Sequence, residues 1–282
     1  MKLFFSKLVL LGLLLLLLLN FIVAPLLIEV SDRVDFFSWS YIYARVLNAK
    51  KKHSFSKIVL GDSVGAQLYQ PKKYPYSFCT NGSVLLAGNF VLLQNYLKNN
   101  PAPDTLIFVC NPRVFATDFF GKMVFNSFCK PFNTGAHQAY FTPELKELLK
   151  TNYKYRLSQY PFYKVLGCID DPVPPAVSDS TRTFISDINL SYLKKIDTLV
   201  RQKHMYCRFV SPSVNAAYAI PQAEMEHMKQ DIDQAGCAYL FSNYWSSVQY
   251  LDAACFGDYL HYTHDYLQQN LKTEQNRLEN YY

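Results

Sequence analysis

The sequence lacks the motifs that mark several common classes of protein. Its seven cysteines form no C-x-x-C motif and no paired spacing with histidines, which argues against a metal site. Because seven is odd, at least one thiol stays unpaired within the chain, and the sequence assigns no pairs. The basic residues are scattered, with no run longer than Lys50-Lys51-Lys52, and the formal net charge is +6. We therefore expect neither a metal cofactor nor a nucleic-acid partner.

One long apolar run is present near the N-terminus. It extends over residues 8–28, follows Lys2 and Lys7, and is interrupted only by Asn20. At the rise of an α-helix, about twenty residues span the ~30 Å hydrocarbon core of a bilayer. The run ends without a small-x-small cleavage site, so we favour a retained membrane anchor (residues 1–28) over a removed signal peptide. With the two lysines inside, the rest of the chain is expected outside the cytoplasm, on a single-pass membrane protein.

Beyond the apolar run, strand-like and helix-like segments alternate. Residues 29–56 predict a linker helix, and residues 57–282 predict an α/β domain with a parallel sheet between two helical layers. An insertion at about residues 112–185 breaks the alternation, with one helical piece at 143–150. It forms either a lid or substrate wall, or a surface excursion with no role in binding. Strands are predicted at 57–60, 76–80, 105–110, 205–210 and 237–241, and helices at 83–97, 187–203, 221–235 and 262–279.

The first predicted strand ends in Gly61-Asp62-Ser63. Open α/β folds hold their ligands at the carboxyl ends of the strands, and this is where the Ser63 hydroxyl is expected. Gly61 allows a sharp turn, and the Asp62 side chain can close that turn through the backbone. A Gly-Asp-Ser sequence on its own is more often a capped turn than a nucleophile, so the prediction depends on a partner elsewhere in the chain.

That partner is the sequence Asp258-Tyr259-Leu260-His261. A serine needs a base to take its proton as it attacks, and a histidine base needs a carboxylate to fix its tautomer. Asp258 and His261 are three residues apart, so on one helical turn both side chains lie on the same face. His264 lies just beyond in the same segment and is a second candidate for the base.

These two motifs, in this order, resemble those of the SGNH/GDSL hydrolases. The resemblance covers about residues 57–265, with the insertion outside it. It implies a three-layer α/β/α fold of flavodoxin-like type with a parallel sheet, and chemistry that requires no cofactor. It also implies that Ser63 is the nucleophile, His261 the general base and Asp258 the group that orients the base.

The family also uses an oxyanion hole, built from the N–H of the nucleophile, a glycine N–H and an asparagine side chain. For this protein the resemblance implies the N–H of Ser63 and the side chain of Asn111, which ends the predicted strand at 105–110. The family's Gly-x-Asn-Asp is altered here to Val109-Cys110-Asn111-Pro112. Gly82 is the preferred glycine because it follows the predicted strand at 76–80, whereas Gly88 lies inside a helical pattern that suits packing.

The apolar anchor and the Asn-Pro-x-x-Phe sequence at 111–115 resemble a narrower subset of the superfamily. Its members are envelope-associated proteins that handle acyl groups on polysaccharides or teichoic acids, often beside a membrane-bound O-acyltransferase. The resemblance implies an extracytoplasmic serine esterase or O-acyltransferase that acts on acyl esters, acetyl first among them, of a cell-envelope or exported polysaccharide. The sequence leaves hydrolysis and transfer open. Two rivals are a catalytically inactive assembly or glycan-binding protein and a lipase acting on bilayer lipid.

Overall fold

The computed structural model describes residues 2–31, 40–80, 85–116, 124–166 and 184–279. The strands are β1 (Lys57–Gly61), β2 (Thr105–Val109), β3 (Tyr206–Val210), β4 (Val214–Asn215) and β5 (Tyr250–Leu251). The helices are α1 (Lys2–Leu18), α2 (Ala24–Ser31), α3 (Ser40–Ala49), α4 (Ser63–Leu68), α5 (Leu85–Asn99), α6 (Arg113–Ala116), α7 (Lys130–Phe132), α8 (Pro143–Thr151), α9 (Tyr153–Leu157), α10 (Pro161–Leu166), α11 (Asp187–Lys203), α12 (Gln222–Gln234), α13 (Tyr244–Ser247) and α14 (His264–Glu279). Turns of π-helix occur at Leu19–Val23 and Phe125–Cys129, and 3₁₀ turns at Gln138–Tyr140, Ala216–Tyr218, Ala238–Phe241 and Ala253–Cys255.

Three parallel strands form the central sheet, in the order β1-β2-β3. Lys57 pairs with Thr105, and Thr105 pairs with Tyr206, so the strands start at one level and end at the same edge. The last four residues of each strand are buried, as expected for strands covered on both faces. The carboxyl ends of β1 and β2, where the sequence predicts the site, are therefore neighbours.

The segment predicted as a strand at 76–80 runs parallel beside β1 without forming a regular strand. The N–H of Val59 donates to Tyr76 O (3.1 Å), and the N–H of Phe78 donates to Val59 O (2.8 Å). The pairing reduces to a single bridge between Val59 and Ser77. This segment extends the hydrogen-bonded edge of the sheet beyond β1.

Alternate side chains of the strands enter two separate hydrophobic clusters. Ile58 and Phe108 belong to a cluster shared with α5 and α11, whereas Val59 and Ile107 belong to a cluster shared with α4 and α14. Neighbouring residues of a strand point to opposite faces, so the two clusters lie on opposite faces of the sheet. The predicted mixed α/β class, with a parallel sheet, is confirmed for this small sheet of three strands.

The predicted helices of the domain are present with shifted ends. α11 matches the prediction at 187–203; it begins after the N-cap Ser186 and ends at His204, which has the left-handed φ of 54°. The helices predicted at 221–235 and 262–279 correspond to α12 and α14. The helix predicted at 83–97 corresponds to α5, and residues 83–84 lie outside the described residues.

The strand predicted at 237–241 is wrong. Gly236, with a φ of 73°, ends the preceding helical segment, and the chain continues as the 3₁₀ turn Ala238–Phe241. Phe241 packs flat against Phe209 of β3 with ring centroids 4.5 Å apart. The apolar pattern of this segment therefore reflects packing against the sheet. A short apolar run has the same pattern whether the segment packs on a sheet or forms one of its strands.

The insertion contains more helix than the single predicted piece at 143–150, which α8 confirms. Residues 124–166 also include the π-turn at Phe125–Cys129 and the helices α7, α9 and α10. Their aromatic side chains are buried against one another, as for Phe125 and Tyr155. Residues 117–123 and 167–183 of the predicted insertion, with Cys168, lie outside the described residues. The six cysteines within the described ranges are all free thiols.

One N-terminal helix, Phe4–Leu27, is long and apolar enough to cross a membrane. Over residues 8–18 its leucines are about half-exposed around the helix, as for Leu10 and Leu17. A helix that is apolar on all sides and not covered by protein over this length is typical of a membrane span. By length and composition alone, a signal sequence has the same properties as a retained anchor.

Candidate active site

Ser63, His261 and Asp258 form a continuous chain of hydrogen bonds. The His261 Nε2 and Ser63 Oγ atoms are 2.7 Å apart, and His261 Nδ1 lies 2.7 Å from Asp258 Oδ2. With the ring proton on Nδ1, the imidazole donates to the carboxylate, and Nε2 accepts the serine hydroxyl proton. The structure thus brings together three predicted residues from opposite ends of the domain, in the order that nucleophilic catalysis needs.

β1 and α4 place the serine at the edge of the sheet. Ser63 is the first residue of α4, and Asp62 is its N-cap: Asp62 Oδ1 accepts the N–H groups of Val64 (2.9 Å) and Gly65 (3.1 Å). Burial raises the pKa of the Asp62 carboxyl, although the two N–H groups act in the opposite direction. The Asp62 side chain does not bind the N–H of Ser63, which is what we expect if that N–H donates to an oxyanion.

Gly61 has a steric reason to be glycine. A Cβ at this position would lie 2.6 Å from Val109 O of the neighbouring strand, a backbone atom that cannot move aside. The close approach of β1 to β2 therefore requires the residue before Asp62 to lack a side chain. Gly61 is thus required by the packing of the two strands, in addition to any role of the motif in chemistry.

A short loop before α14 carries the base and its orienting carboxylate. Asp258 Oδ1 accepts the N–H groups of Leu260 (2.7 Å) and His261 (2.6 Å), which leaves Oδ2 for the imidazole. Partial burial acts to raise the pKa of the Asp258 carboxyl, but these N–H groups and the His261 ring hold it below its usual value. Both side chains stay partly exposed, so substrate can reach the base from solvent.

The loop is held directly to the nucleophile's helix. The Gln67 side chain of α4 accepts the N–H of Tyr262 (3.1 Å) and donates to Tyr262 O (3.2 Å). This pair of bonds fixes the residue next to His261 one helical turn away from Ser63. The sequence analysis did not identify Gln67; its spacing of four from Ser63 on a helix is the only sequence feature that could have indicated it.

A buried polar network supports the same loop from below. Glu274 accepts hydrogen bonds from Ser213 Oγ (3.0 Å) and Tyr266 OH (2.9 Å), and its Oε2 lies 2.9 Å from Arg277 Nη2. The N–H of Ser213 donates to Tyr262 OH (2.8 Å). Tyr262 therefore links the loop that carries the base to a buried ion pair, in which Arg277 Nε is the one polar atom without a hydrogen-bond partner. The sequence analysis missed this network because Ser213 and Tyr262 lie outside α14, which carries its other members.

A cleft of about 530 Å³ opens beside the serine and the histidine. Its lining includes Arg45 of α3 and the side chains of Gln70 and Thr80. Cys79 also lines it, and burial raises the pKa of this thiol to about 12, so the thiol stays protonated. The lining combines polar side chains, one of them cationic, with apolar ones such as Ala66 and Pro71, so the cleft can accept a small ester group and polar atoms beside it.

Two aromatic side chains lie on the other side of the loop. The Tyr218 and Tyr259 rings meet at 6.0 Å between centroids, and both are about half-exposed. Arg113, two residues after Asn111, donates through Nη2 to Tyr218 O (2.6 Å), and the Asn215 amide donates to Asp258 O (3.4 Å). Exposed tyrosine rings of this kind can stack on sugar rings.

The predicted oxyanion residues have different outcomes. Asn111 is buried at the end of β2, as expected, and its Oδ1 accepts the N–H of Arg113 (3.0 Å). Gly82 lies outside the described residues, and Gly88 is buried inside α5. No hydrogen bond joins Asn111 to Ser63 among the described residues.

His264 does not contact the serine. It is the first residue of α14, and its Nε2 lies 2.8 Å from Gln268 Nε2 on the surface of that helix. Of the two histidines considered from the sequence, His261 is the one within hydrogen-bond distance of Ser63.

The arrangement can take the proton of the Ser63 hydroxyl as its oxygen attacks a carbonyl carbon. Among the described residues no group of His, Cys, Asp and Glu side chains could hold a metal ion. No family model matches the chain, and no curated protein sequence matches it significantly. The likeness to the SGNH/GDSL hydrolases therefore rests on the residues of this site.

Proposed function

We propose that the protein is a membrane-anchored, extracytoplasmic serine esterase or O-acyltransferase of SGNH type, with a three-layer α/β/α domain. The observation that carries the proposal is the hydrogen-bonded chain from Ser63 Oγ through His261 to Asp258, with both contacts at 2.7 Å. If Gly61-Asp62-Ser63 were only a capped turn, Ser63 would need no histidine partner. If Asp258 and His261 were only a surface pair, the second ring nitrogen of His261 would have no serine beside it.

In the first half of the reaction, Ser63 Oγ attacks the ester carbonyl carbon while His261 Nε2 takes the hydroxyl proton. The negative charge moves to the carbonyl oxygen, where the N–H of Ser63, the Asn111 side chain and a glycine N–H act as donors. The intermediate then expels the alcohol oxygen of the ester, which takes the proton from His261. Asp258 keeps the imidazole oriented and stabilises its charged form.

In the second half, the acyl-Ser63 ester is attacked by water or by a hydroxyl group of an acceptor. His261 takes the proton of the attacking group and returns it to Ser63 Oγ as the intermediate collapses. Water yields a carboxylic acid, and an acceptor hydroxyl yields a new ester. Both outcomes use the same residues, and neither needs a cofactor.

The substrates we propose are acyl esters, acetyl esters first, of a cell-envelope or exported polysaccharide. The open cleft beside Ser63, with Arg45, Gln70 and Thr80 in its lining, supports a carbohydrate over a bilayer lipid. So does the exposed Tyr218–Tyr259 pair beside the Asp258–His261 loop. The N-terminal helix would keep the site near polymers made at the membrane. A membrane-bound O-acyltransferase is the protein partner that this role implies.

One observation favours a non-catalytic role in assembly or glycan binding. The family's Gly-x-Asn-Asp is altered around Asn111 to Val109-Cys110-Asn111-Pro112. The N–H of Arg113 binds only the amide oxygen of Asn111, and the amide NH2 group is the donor that an oxyanion hole would use. An oxyanion hole with a weakened donor would reduce catalysis by about 10²–10³-fold for one lost donor.

The experiment that tests the proposal is labelling of the full chain in detergent with a fluorophosphonate probe, followed by peptide mass mapping. We expect one adduct, on Ser63, because the probe reacts with activated serines. Ser63→Ala should lose the adduct and keep the unfolding temperature of the parent. A folded parent protein without an adduct would favour the assembly or glycan-binding role.

A further inference from the structure

The insertion contacts the N-terminal helix at Asn20, the one polar residue of the apolar run over residues 8–28. Asn20 lies in the π-turn Leu19–Val23, and its amide donates to Leu16 O (3.0 Å). Its Oδ1 accepts the N–H of Phe162 (3.2 Å) in the first turn of α10. Backbone N–H groups in the first turn of a helix have no partner within that helix. Asn20 thus supplies to α10 the acceptor that a capping residue usually supplies.

Packing also joins α10 to the N-terminal helix near Asn20. α10 lies against both the π-turn and α2. Ala24 is only 3% exposed, whereas Leu26, which lies two residues further on and on another side of the helix, is 56% exposed. The apolar helix therefore has one covered side, and the insertion covers it.

This contact sets the depth of the insertion in a bilayer. Asn20 lies about two turns, roughly 10 Å, before Leu27 at the end of the apolar span. With a ~30 Å hydrocarbon core, the start of α10 then lies just inside the hydrocarbon layer on the side of the domain. Gln159 can be no more than ~10 Å from Phe162 along the chain, so the headgroup level is within its reach. Tyr160 between them is 52% exposed, as is common for tyrosines at that level.

A basic cleft lies within reach of this same level. It has a volume of about 170 Å³ and is lined by Lys146, Lys150, Arg156, Gln138 and Gln159, among others. Lys146 and Lys150 lie one helical turn apart on α8, where like charges destabilise the helix slightly. Within residues 124–166 and the other described ranges, none of the three cations forms an ion pair with a carboxylate.

The acidic residues of α8 do not neutralise the cleft. Glu144, at the start of the helix, interacts with Ser191 and Lys195 of α11 and is not part of the cleft lining. Glu147 is exposed and is absent from the cleft lining. Three cations with amide donors beside them are a suitable set for a phosphate group, because Arg156 can bind two of its oxygens at once.

We propose that this cleft binds the phosphate of an anionic phospholipid in the leaflet next to the domain. The lipid would fix the insertion against the bilayer at the depth that Asn20 sets. The site is separate from the ester chemistry of Ser63 and does not depend on it. It depends on the apolar helix being retained in the membrane, because a cleaved helix could not hold α10 at this depth.

The test is a lipid titration of the full chain in detergent, with the unfolding temperature as the readout. Short-chain phosphatidylglycerol should raise this temperature in a saturable way, because a ligand of the folded state stabilises it. Short-chain phosphatidylcholine and inorganic phosphate should not raise it at the same concentrations. Lys146→Gln/Lys150→Gln should weaken the apparent affinity for phosphatidylglycerol at least tenfold. Both lysines are exposed, so the variant should unfold at the parent's temperature without lipid.

The matched control is Lys194→Gln/Lys203→Gln, which removes two exposed charges from α11 and should keep the parent's affinity. Equal loss in both variants would mean general charge attraction and would overturn the site. So would equal effects of the two lipids, or unchanged affinity in the cleft variant. An equal rise of the unfolding temperature with inorganic phosphate would mean a site for free anions and would overturn the assignment to a lipid. If the cleft variant did not fold, Arg156→Gln would take its place under the same criteria.

Discussion

Two pairs of an acidic and a basic side chain near the C-terminal end have the same spacing in the sequence but differ in burial and in their neighbours. Asp258 and His261 are three residues apart with 2.7 Å between their polar atoms, and Glu274 and Arg277 are three apart with 2.9 Å between theirs. The first pair has side chains 46% and 33% exposed, and the second has side chains only 4% and 13% exposed. In the first pair the free ring nitrogen of His261 faces Ser63. In the second pair the carboxylate of Glu274 faces the hydroxyl groups of Ser213 and Tyr266.

The difference shows that spacing does not assign a role to a charged pair. A base must exchange protons with a substrate, so it has to stay accessible and have a reactive neighbour. A buried carboxylate needs hydrogen-bond partners to offset its loss of water, and Glu274 has them in Ser213, Tyr266 and Arg277. The predictions below separate the two roles, since activity should respond to one pair and stability to the other.

The largest effect is expected at the exposed pair. His261→Ala should lower ester turnover on the order of 10⁵-fold, because loss of the base removes the triad as a unit. The unfolding temperature should stay near that of the parent. His264→Ala is the matched control, since it removes a surface histidine of the same segment, and it should keep most activity. Turnover that survived in the first variant and vanished in the second would move the base to His264.

Asp258→Asn should have a smaller but still large effect. The amide can donate to the imidazole and favour the wrong tautomer, so we expect a loss of roughly 10²–10⁴-fold in kcat. The amide oxygen can still accept the N–H groups of Leu260 and His261, so the loop should keep its shape. Kinetics with an activated acetyl ester measure the effect. A loss of less than about threefold would show that the carboxylate does not orient the base.

The smallest effect on chemistry is expected at the buried pair. Glu274→Gln should lower the free energy of unfolding by about 3 kcal/mol, because it leaves Arg277 buried without its counter-charge. Chemical denaturation measures the change. The folded fraction should still label at Ser63 with the fluorophosphonate probe. Loss of labelling at full stability would mean that the network acts on the site rather than on the fold.

Glu279→Gln serves as the control for burial. Glu279 pairs with Lys57 at 3.2 Å, and both side chains are about one-third exposed. Exposed pairs contribute at most about 1 kcal/mol, so this variant should unfold close to the parent. A cost as large as that of Glu274→Gln would contradict the role given to burial.

Much of the fold followed from local sequence. The apolar run over residues 8–28, the helix at 187–203 and the strands that became β1, β2 and β3 have strong periodic or continuous apolar patterns. The segment at 237–241 has a similar pattern but forms a 3₁₀ turn, because its apolar side chains pack on β3 instead of pairing with it. A short apolar segment is buried in either case, and its sequence reports burial more directly than hydrogen bonding.

For the site, the residue types and their order in the sequence were enough to identify Ser63, Asp258 and His261 as candidates. The chemistry needs these groups, and local spacing delivers two of them on one loop. Only the tertiary structure decided which histidine meets the serine, which side chains line the cleft, and that Gln67 and Glu274 hold the loop in place. These contacts join residues far apart in the sequence, and a pattern read along the chain does not contain distances across the fold.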